Sequence, residues 1–385
     1  MALELACIAV FLLSIGFVLY VLFGYPLLAG IFARTRRLRV AKGPAEKTVS
    51  FLLPVHNGEA FLAEKLRSIL ALDYPRSLME VIVLSDGSTD NTDAIAESFA
   101  SEGVRSIRLP RGGKAVALNR ALAEARNELL ILTDVRQMLE RDSLKRLVEC
   151  FADPSIGVVS GHLLIRQGER VQEADIGLYR RYEAWLRTQQ SAFASVLGAS
   201  GCYYAMRRDL ARPMPEETLL DDMYLPLCAM FDGYRCILEP SARCYDLPTA
   251  LDTEFRRKVR TLAGVYQLLP IFPQLLKPWT MNGFNFLSLK FGRLLLPFAF
   301  IAIFPSSLGL PPGLRAAALI GQALFYGAAL VDLALPESFP LKRLTSPIRS
   351  FVVLITSAAC ATSILFVSPQ NLWKQTVVQR TKPAS

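Results

Sequence analysis

The first forty residues combine a long apolar run with a basic cluster. No charged residue occurs between Leu5 and Phe32. About 20 apolar residues of helix cross the hydrocarbon core of a bilayer, so this run is long enough to span it with some tilt. The apolar core of a secretory signal peptide has only ~7–15 residues and follows a basic start, whereas this run is longer and follows Glu4. We therefore predict a retained N-terminal anchor.

Basic residues follow this anchor directly, at Arg34, Arg36, Arg37, Arg39 and Lys42. An excess of Lys and Arg beside a membrane span marks its cytoplasmic side. We therefore expect the N-terminus to lie outside the membrane and the residues after the anchor to lie in the cytoplasm.

Three further apolar stretches occur near the other end, at Leu294–Leu310, Ala316–Leu335 and Phe351–Val367. Each is long enough to be considered a span, and three so close together are hard to explain as a soluble core. Counting alternate crossings puts the C-terminus outside, although it carries basic residues, at Lys374, Arg380 and Lys382. Either the last stretch is re-entrant or one span is miscounted.

The block between these ends alternates short apolar runs with segments of helical periodicity. The predicted strands are Val49–Leu53, Val81–Leu84, Val104–Leu109 and Leu129–Thr133, and the predicted helices are Glu59–Leu70, Asp90–Ala100 and Lys114–Arg126. Repeated strand–helix units predict an α/β domain with a mostly parallel, Rossmann-like sheet covered on both faces. Ligands of such sheets bind beyond the carboxyl ends of the strands. Polar residues gather there, at 54–57, 85–88 and 133–134.

These patterns predict four regions. Residues 1–40 are the anchor and its basic flank, residues 41–251 a cytoplasmic catalytic domain, residues 252–285 amphipathic interface helices, and residues 286–385 a C-terminal membrane region of about three spans.

Composition and charge narrow the class of protein. Apolar residues make up 52% of the 385 residues and charged residues 20%, which excludes a disordered chain and argues against a purely soluble one. The net charge of +9 is compatible with nucleic acid, an anionic membrane or the bias of cytoplasmic loops. The basic clusters lie beside apolar stretches, so we expect a bilayer and no nucleic acid as partner. Two histidines leave little room for a histidine-based site, and seven cysteines without a CxxC pair predict neither a disulfide framework nor structural zinc.

Two motifs suggest the binding of a nucleotide or an anion. Asp86 follows a buried strand and could accept a hydrogen bond from a nucleobase, or it could belong to an ordinary Asp-Gly turn. Two glycines precede Lys114 at the start of a helix, where backbone N–H groups can approach an anion, although a flexible turn with a solvated lysine is the alternative. The Walker A pattern is absent from the sequence.

Three further motifs carry acidic or basic groups. Asp134 ends a wholly apolar strand, and a divalent cation that bridges two phosphates is a natural partner for it. Asp221 and Asp222 are either a helix cap pair or a general base, since neighbouring like charges raise a carboxyl pKa. The basic segment with Arg257 and Arg260 is either a helix at the membrane interface or a clamp for a pyrophosphate.

Together, and in this order, the motifs resemble the family 2 glycosyltransferases, specifically their membrane-embedded branch with cellulose and hyaluronan synthases. The resemblance covers nearly the whole chain. It implies a GT-A fold, a cytoplasmic catalytic domain at a bacterial-type inner or plasma membrane, and a nucleotide diphosphate sugar, most simply a UDP-sugar, as donor. It further implies inversion at the anomeric carbon and transfer to a glycan or lipid-linked acceptor.

The resemblance also assigns roles to residues that match the family motifs. It implies nucleotide-sugar binding by Pro54, Asn57, Asp86, Lys114, Asp134, Arg257 and Arg260. It implies acceptor binding by Ser200, Gly201 and Asp221, general-base catalysis by Asp222, and a Mg²⁺ or Mn²⁺ ion on Asp134.

The chain departs from the family motifs at three places. The second acid of D-x-D is Arg136, which puts the cation in question and could itself face phosphate. The T-E-D element reads Leu220-Asp221-Asp222. Thr261 stands where Q-x-x-R-W has its tryptophan, so the sugar-stacking platform of processive members is missing. Alternatives to a polymerising synthase are therefore a transferase that adds one sugar to a lipid-linked acceptor, and a nucleotide-binding membrane component without transfer chemistry.

Overall fold

The computed structural model describes residues 2–44, 46–165, 178–246, 251–336 and 339–369, and it divides into two compact units. A helical unit contains residues 1–31, 176–186 and 249–385, and a sheet unit contains residues 32–175 and 187–248. The basic residues expected near the C-terminus, Lys374, Arg380 and Lys382, lie outside the described residues.

The sheet unit is built on eight strands. They are β1 (Val49–Val55), β2 (Met79–Asp86), β3 (Val104–Leu109), β4 (Leu129–Thr133), β5 (Met138–Leu139), β6 (Ile156–Ile165), β7 (Tyr203–Arg207) and β8 (Arg235–Asp246). Their order is β3-β2-β1-β4-β7-β6-β8-β5. The first four are mutually parallel, as the strand–helix alternation predicts, and β6 is parallel to β8. Strand β7 runs antiparallel to β4 and β6, and β5 antiparallel to β8, so the sheet is mixed.

Thirteen α-helices occur in the described part of the chain. They are α1 (Ala2–Leu19), α2 (Tyr25–Thr35), α3 (Leu62–Leu70), α4 (Thr92–Ser98), α5 (Lys114–Glu124), α6 (Ser143–Glu149), α7 (Leu178–Phe193), α8 (Asp221–Phe231), α9 (Leu251–Ile271), α10 (Met281–Asn285), α11 (Gly292–Leu308), α12 (Pro312–Ala334) and α13 (Lys342–Ala361).

The core of the sheet unit explains where these elements form. Helix α3 buries Leu62, Leu66 and Ile69 on one face, as its helical spacing predicts, against the apolar strands of the parallel half. Helix α4 follows an acidic residue, and the Asp90 carboxylate accepts a hydrogen bond from the backbone N–H of Thr92 at 3.0 Å. Because β1, β2 and β4 are parallel, their carboxyl ends lie at one edge of the sheet, where the polar loops begin.

Among the described residues, four helical segments are long and apolar enough to cross a membrane, judged by length and composition. They are Ala2–Thr35, Met281–Leu308, Pro312–Ala334 and Lys342–Leu365. These segments lie where one N-terminal and three C-terminal spans are expected, and the second begins earlier than Leu294; that they cross a membrane stays a prediction. The direction in which each would cross stays a prediction.

Two of these segments contain π-helical turns that meet inside the helical unit. The turns are Tyr20–Gly24 and Phe286–Phe291. The hydroxyls of Tyr20 and Ser288 lie 2.7 Å apart, and the Tyr25 hydroxyl donates to Oδ1 of Asn285 at 3.1 Å. Polar contacts of this kind join apolar helices that have no hydrophobic reason to associate in a bilayer.

Candidate active site

The loops after β1 and β2 are tied together at the polar edge of the sheet. Pro54 lies near the end of β1, paired in register with Leu84. Asn57 has a positive φ of 50°, and its Oδ1 accepts a hydrogen bond from the backbone N–H of Thr89 at 2.8 Å. Nδ1 of His56 lies 2.8 Å from the backbone oxygen of Asp86. His56 and Asn57 thus brace the loop that follows β2.

Asp86 is buried, and its carboxylate already has three donors. It accepts hydrogen bonds from the backbone N–H groups of Gly112, at 2.7 Å, and Gly113, at 3.0 Å, and it forms an ion pair with Arg111. A β-carbon on Gly87, whose φ is +61°, would lie 2.8 Å from the backbone nitrogen of Arg111. The glycine pair expected to face a bound anion therefore faces a carboxylate of the protein itself. The predicted contact of Asp86 with a nucleobase stays a prediction.

Lys114 joins two carboxylates that are distant in the sequence. Its Nζ lies 2.9 Å from Oδ1 of Asp134 and 3.1 Å from Oδ2 of Asp221. Burial alone lowers the pKa of Lys114, but the charges of Asp134 and Asp221 outweigh it and raise this pKa above its ordinary value. The lysine therefore remains a cation at neutral pH. It holds the end of β4 against the start of α8.

Asp222 lies beside the segment expected to contact the acceptor. It occupies the first turn of α8, and its backbone oxygen accepts a hydrogen bond from the N–H of Ala199 at 2.7 Å. A β-carbon on Gly201 would lie 2.8 Å from Oδ2 of Asp222. The backbone N–H of Ser200 donates to the hydroxyl of Ser160 at 2.9 Å, which fixes this segment on β6. The structure thus brings Ser200, Gly201 and Asp222 together, as the motif order implies.

The buried hydroxyl of Tyr204 is close to the same carboxylates. The side chain is 0% exposed, and among the described residues its oxygen has no hydrogen-bond partner. Burial raises the pKa of Tyr204 well above its ordinary value, and the charges of Asp221, Asp222 and Asp134 act in the same direction. Sequence reasoning missed this residue because a tyrosine inside an apolar strand is indistinguishable from core.

Arg136 replaces the second acid of D-x-D, and the structure corrects the expectation that it could face phosphate. Its guanidinium lies 2.6 Å from Oδ2 of Asp246, and Gln137 Nε2 donates to the same oxygen at 2.8 Å. Only 12% of the Arg136 side chain and 2% of the Asp246 side chain are exposed. The charge of Arg136 is therefore neutralised inside the protein. Asp246 was missed because its partner is 110 positions away.

Lys65 is a second buried cation that sequence reasoning missed. It is 0% exposed, and its Nζ donates to Oγ1 of Thr133 at 2.7 Å and to the backbone oxygen of Gln137 at 2.5 Å. Burial lowers the pKa of Lys65 to about 8. Lys65 lies on a helix of nine residues and has polar neighbours in the sequence, so the sequence pattern does not indicate that it is buried.

Arg257 and Arg260 are not among the side chains that the sheet unit brings together. Both lie on α9, in the helical unit. Their expected contact with a pyrophosphate stays a prediction.

The chemistry of this donor set suits a divalent cation that arrives with a diphosphate. Among the described residues, no group of three or more His, Cys, Asp or Glu side chains could hold a metal ion alone. Protein sites commonly hold Mg²⁺ through one or two carboxylates and complete its shell with phosphate oxygens and water. Asp134 has an open carboxylate, 39% exposed, and the three carboxylates of Asp134, Asp221 and Asp222 outnumber the two nearby ammonium groups, those of Lys114 and Lys65. This excess of negative charge would favour a further cation before a diphosphate could bind.

Known proteins resemble this chain at the level of family, relatives and fold. Residues 50–213 match the model of the family described as Glycosyl transferase family 2. A β-monoglucosyldiacylglycerol synthase of Trichormus variabilis is 27% identical over 67% of this chain and 57% of its own length. A poly-β-1,6-N-acetyl-D-glucosamine synthase of Staphylococcus epidermidis is 25% identical over 57% of this chain and 55% of its own length. The chain thus spans little more than half the length of these curated relatives.

One solved structure matches over almost the whole chain. It is the mannosyltransferase PcManGT from Pyrobaculum calidifontis, in complex with GDP-Man and Mn²⁺, with a TM-score of 0.68 and 22% identity over 94% of this chain and 99% of that one. This likeness confirms the predicted fold class. The family match includes Asp86, Lys114 and Asp134, and it ends before Asp221. Residues 50–213 therefore match the family 2 glycosyltransferases, the family and the enzyme class that the motifs predict.

Proposed function

We propose that this chain transfers a sugar from a nucleotide diphosphate sugar, most simply a UDP-sugar, to a hydroxyl of a growing polysaccharide or glycan acceptor at a membrane, with inversion. One observation carries the proposal. The Lys114 ammonium ties Asp134, the expected diphosphate side, to Asp221, the direct neighbour of Asp222, at 2.9 and 3.1 Å. These contacts support a proposed donor side and a proposed base that lie next to each other at the carboxyl edge of the sheet.

Asp222 acts as the general base in this proposal. Its carboxylate takes the proton of the acceptor hydroxyl while the acceptor oxygen bonds to the anomeric carbon from the face opposite the diphosphate. The bond between that carbon and the diphosphate oxygen breaks, and the nucleoside diphosphate leaves with the electron pair. Because Asp221 is paired with Lys114, its charge is partly compensated, and the two neighbouring acids have different surroundings.

Lys114 and Asp134 serve the leaving group. The ammonium offers a fixed positive charge where negative charge develops on the departing diphosphate. A divalent cation bound through Asp134 would supply further neutralisation of that charge. Pro54, Asn57 and Asp86 line the edge on which the nucleotide is proposed to rest. Arg257 and Arg260 are proposed to face phosphate at the membrane surface.

The helical unit supports a membrane location for this reaction. It contains three of the four candidate spans and most of the first. We propose that the catalytic residues lie on the cytoplasmic side of a bacterial-type inner membrane, because the basic cluster at residues 34–42 follows the first span.

A second candidate is the addition of a single sugar to a lipid-linked acceptor. Helix α9 carries Thr261 where processive members have tryptophan. The aromatic ring on which a growing sugar chain would stack is therefore missing at this position. One relative is named for its action in making a glucosyldiacylglycerol, the other for a polymer. Product length separates the two candidates, because a synthase gives a ladder of sizes and a single-step transferase gives one product.

The test is a donor panel with the purified full chain in lipid nanodiscs, with Mg²⁺ or Mn²⁺, lipid acceptors and short glycans. Release of nucleoside diphosphate and the size of the product are measured. Asp222→Asn should abolish transfer while the affinity for UDP, measured by calorimetry, stays within about twofold. Asp232→Asn is the matched control, because the Asp232 side chain is exposed and pairs with Arg212 at the surface. Turnover in Asp222→Asn at the level of the control would overturn the assignment of the base.

A further inference from the structure

The five-residue segment from Thr133 to Gln137 is held at both ends by one ammonium group. Nζ of Lys65 contacts the hydroxyl of Thr133 and the backbone oxygen of Gln137, at 2.7 and 2.5 Å. These two residues flank Asp134, Val135 and Arg136, so the lysine closes a short loop whose middle carries the D-x-R motif.

The same ammonium is connected to the expected acceptor segment. The Thr133 hydroxyl, which accepts from Lys65, donates to the backbone oxygen of Cys202 at 2.8 Å. The backbone N–H of Asp134 approaches that same oxygen at 3.4 Å. Cys202 directly follows Ser200 and Gly201. Lys65 therefore stands at a junction between the proposed donor side and the proposed acceptor side of the site.

Helix α3 makes a second contact with the chain after β4, one helical turn beyond Lys65. The hydroxyl of Ser68 accepts a hydrogen bond from the backbone N–H of Leu139 at 2.9 Å. Ser68 lies three residues after Lys65, which puts both side chains on one side of the helix. The chain after β4 is thus fastened to α3 at two successive points.

Burying a lysine in this position is expensive, and packing alone does not require it. A fully buried ammonium loses its hydration, and apolar residues of similar volume are often as stable or more stable. The groups around it are the Thr133 hydroxyl, the Gln137 carbonyl, the thiols of Cys202 and Cys244, and the Asp134 carboxylate. No carboxylate among the described residues forms a direct ion pair with Lys65.

We propose that Lys65 is a positioning residue of the transferase, which fixes the segment 133–137 so that Asp134 is held where donor binding needs it. This inference rests on the proposed function. Lys65 acts through Thr133 and Gln137 and takes no proton from the substrate. We expect loss of the ammonium to release the segment that carries Asp134.

The test compares Lys65→Met with Leu66→Ala in the full chain. Leu66 is the adjacent residue on α3, is 0% exposed, and belongs to the apolar core. We expect Lys65→Met to lower kcat/KM for the donor by about 10–100-fold, the range typical of residues that orient a ligating carboxylate. We expect Leu66→Ala to lower the thermal unfolding midpoint while kcat/KM per folded molecule stays within about twofold. The loss in Lys65→Met should appear in the donor KM and kcat, and the acceptor KM should be unchanged.

Substitutions of Thr133 give a second route to the same answer if Lys65→Met folds poorly. Thr133→Ser keeps the hydroxyl that Lys65 contacts, and Thr133→Val keeps the shape without it. We expect Thr133→Val to lose donor affinity and Thr133→Ser to retain it. Equal kcat/KM for the Ser and Val variants would contradict a role for this hydrogen bond.

Hydrogen–deuterium exchange provides a readout that does not need activity. The amides of Asp134 and Leu139 should exchange faster in Lys65→Met than in wild type, and at the wild-type rate in Leu66→Ala. If wild type transfers no sugar from any donor, the proposed function fails, while faster exchange still supports the positioning role. If wild type is active and Lys65→Met matches it in both exchange and kcat/KM, the inference is wrong.

Discussion

Gly201 and Asp222 approach each other so closely that a β-carbon on Gly201 would lie 2.8 Å from Oδ2 and 3.3 Å from the β-carbon of Asp222. Real side chains do not make the shorter of these contacts, so any residue larger than glycine must displace the carboxylate. The short distance to the proposed base therefore explains why the residue at position 201, in the expected acceptor segment, is a glycine. Backbone conformation does not require a glycine here, because the φ of Gly201 is not positive.

The first prediction follows from this contact. Gly201→Ala should lower kcat by about 100-fold, because a displacement of about 1 Å in a reacting group costs this much in rate. UDP affinity should change little, since the three atoms nearest a β-carbon on Gly201 all belong to Asp222. Steady-state kinetics and calorimetry check the two parts. Gly327→Ala is the control, because a β-carbon there meets nothing within 4 Å; a loss of rate as large in the control as in Gly201→Ala would contradict the explanation.

The second prediction concerns the bridge made by Lys114. Lys114→Met would leave Asp134 and Asp221 facing each other without their shared cation. We expect the dissociation constant of UDP to rise by at least about tenfold, because like charges then repel each other and the diphosphate. Lys114→Arg should retain part of the affinity. Lys47→Met, which removes a partly exposed pair with Glu128, is the control; UDP affinity in Lys114→Met equal to that control would be incompatible with the proposed role.

Much of this arrangement could be predicted from local patterns. Strands β1, β2 and β4 are mostly apolar runs, and the acidic residues that end β2 and follow β4 are visible because a charge after such a run has no packing explanation. The close approach of Asp86, Lys114 and Asp134 to one edge then follows from the rule that parallel strands open on one side.

The rest depends on partners that are far apart in the sequence. Arg136 and Asp246 are separated by 110 positions, and Lys65 and Thr133 by 68. The two members of each pair do not share a helix or strand, so no local periodicity links them, and both basic residues resemble solvated surface residues in their local context. The reversal of β7 is hidden for the same reason, since an antiparallel strand in the middle of a mostly parallel sheet has no compositional mark.

The third prediction measures the buried pair formed by Arg136 and Asp246. Asp246→Leu alone leaves a buried guanidinium without its carboxylate, which should lower the free energy of unfolding by about 3–5 kcal/mol. Adding Arg136→Met should recover most of that loss, because replacing a whole buried pair by apolar residues is often close to neutral. A thermodynamic cycle from denaturant unfolding gives the coupling. Additive effects of the two changes would show that the pair is not a unit.

The fourth prediction uses the depressed pKa of Lys65, about 8 in the folded protein against an ordinary value of 10.5. Below pH 8 the lysine is charged in both the folded and the unfolded chain, so it adds no pH dependence. Between about pH 8 and 10.5 the unfolded chain binds more protons, so stability rises with pH, by up to about 1.4 kcal/mol for each pH unit.

Comparison of wild type with Lys65→Met measures this effect. The charge of Lys65 also lowers the pKa of the Cys244 thiol, so the difference between the two proteins includes the response of that thiol. We expect the unfolding midpoint of wild type to rise relative to that of the variant as the pH is raised from 7.5 to 10. Thermal melts of the full chain in detergent at several pH values measure this gap. A gap that stays constant over the range would mean that Lys65 titrates in the folded protein as it does in the unfolded chain, and that the ammonium does not have the desolvated environment inferred from its burial.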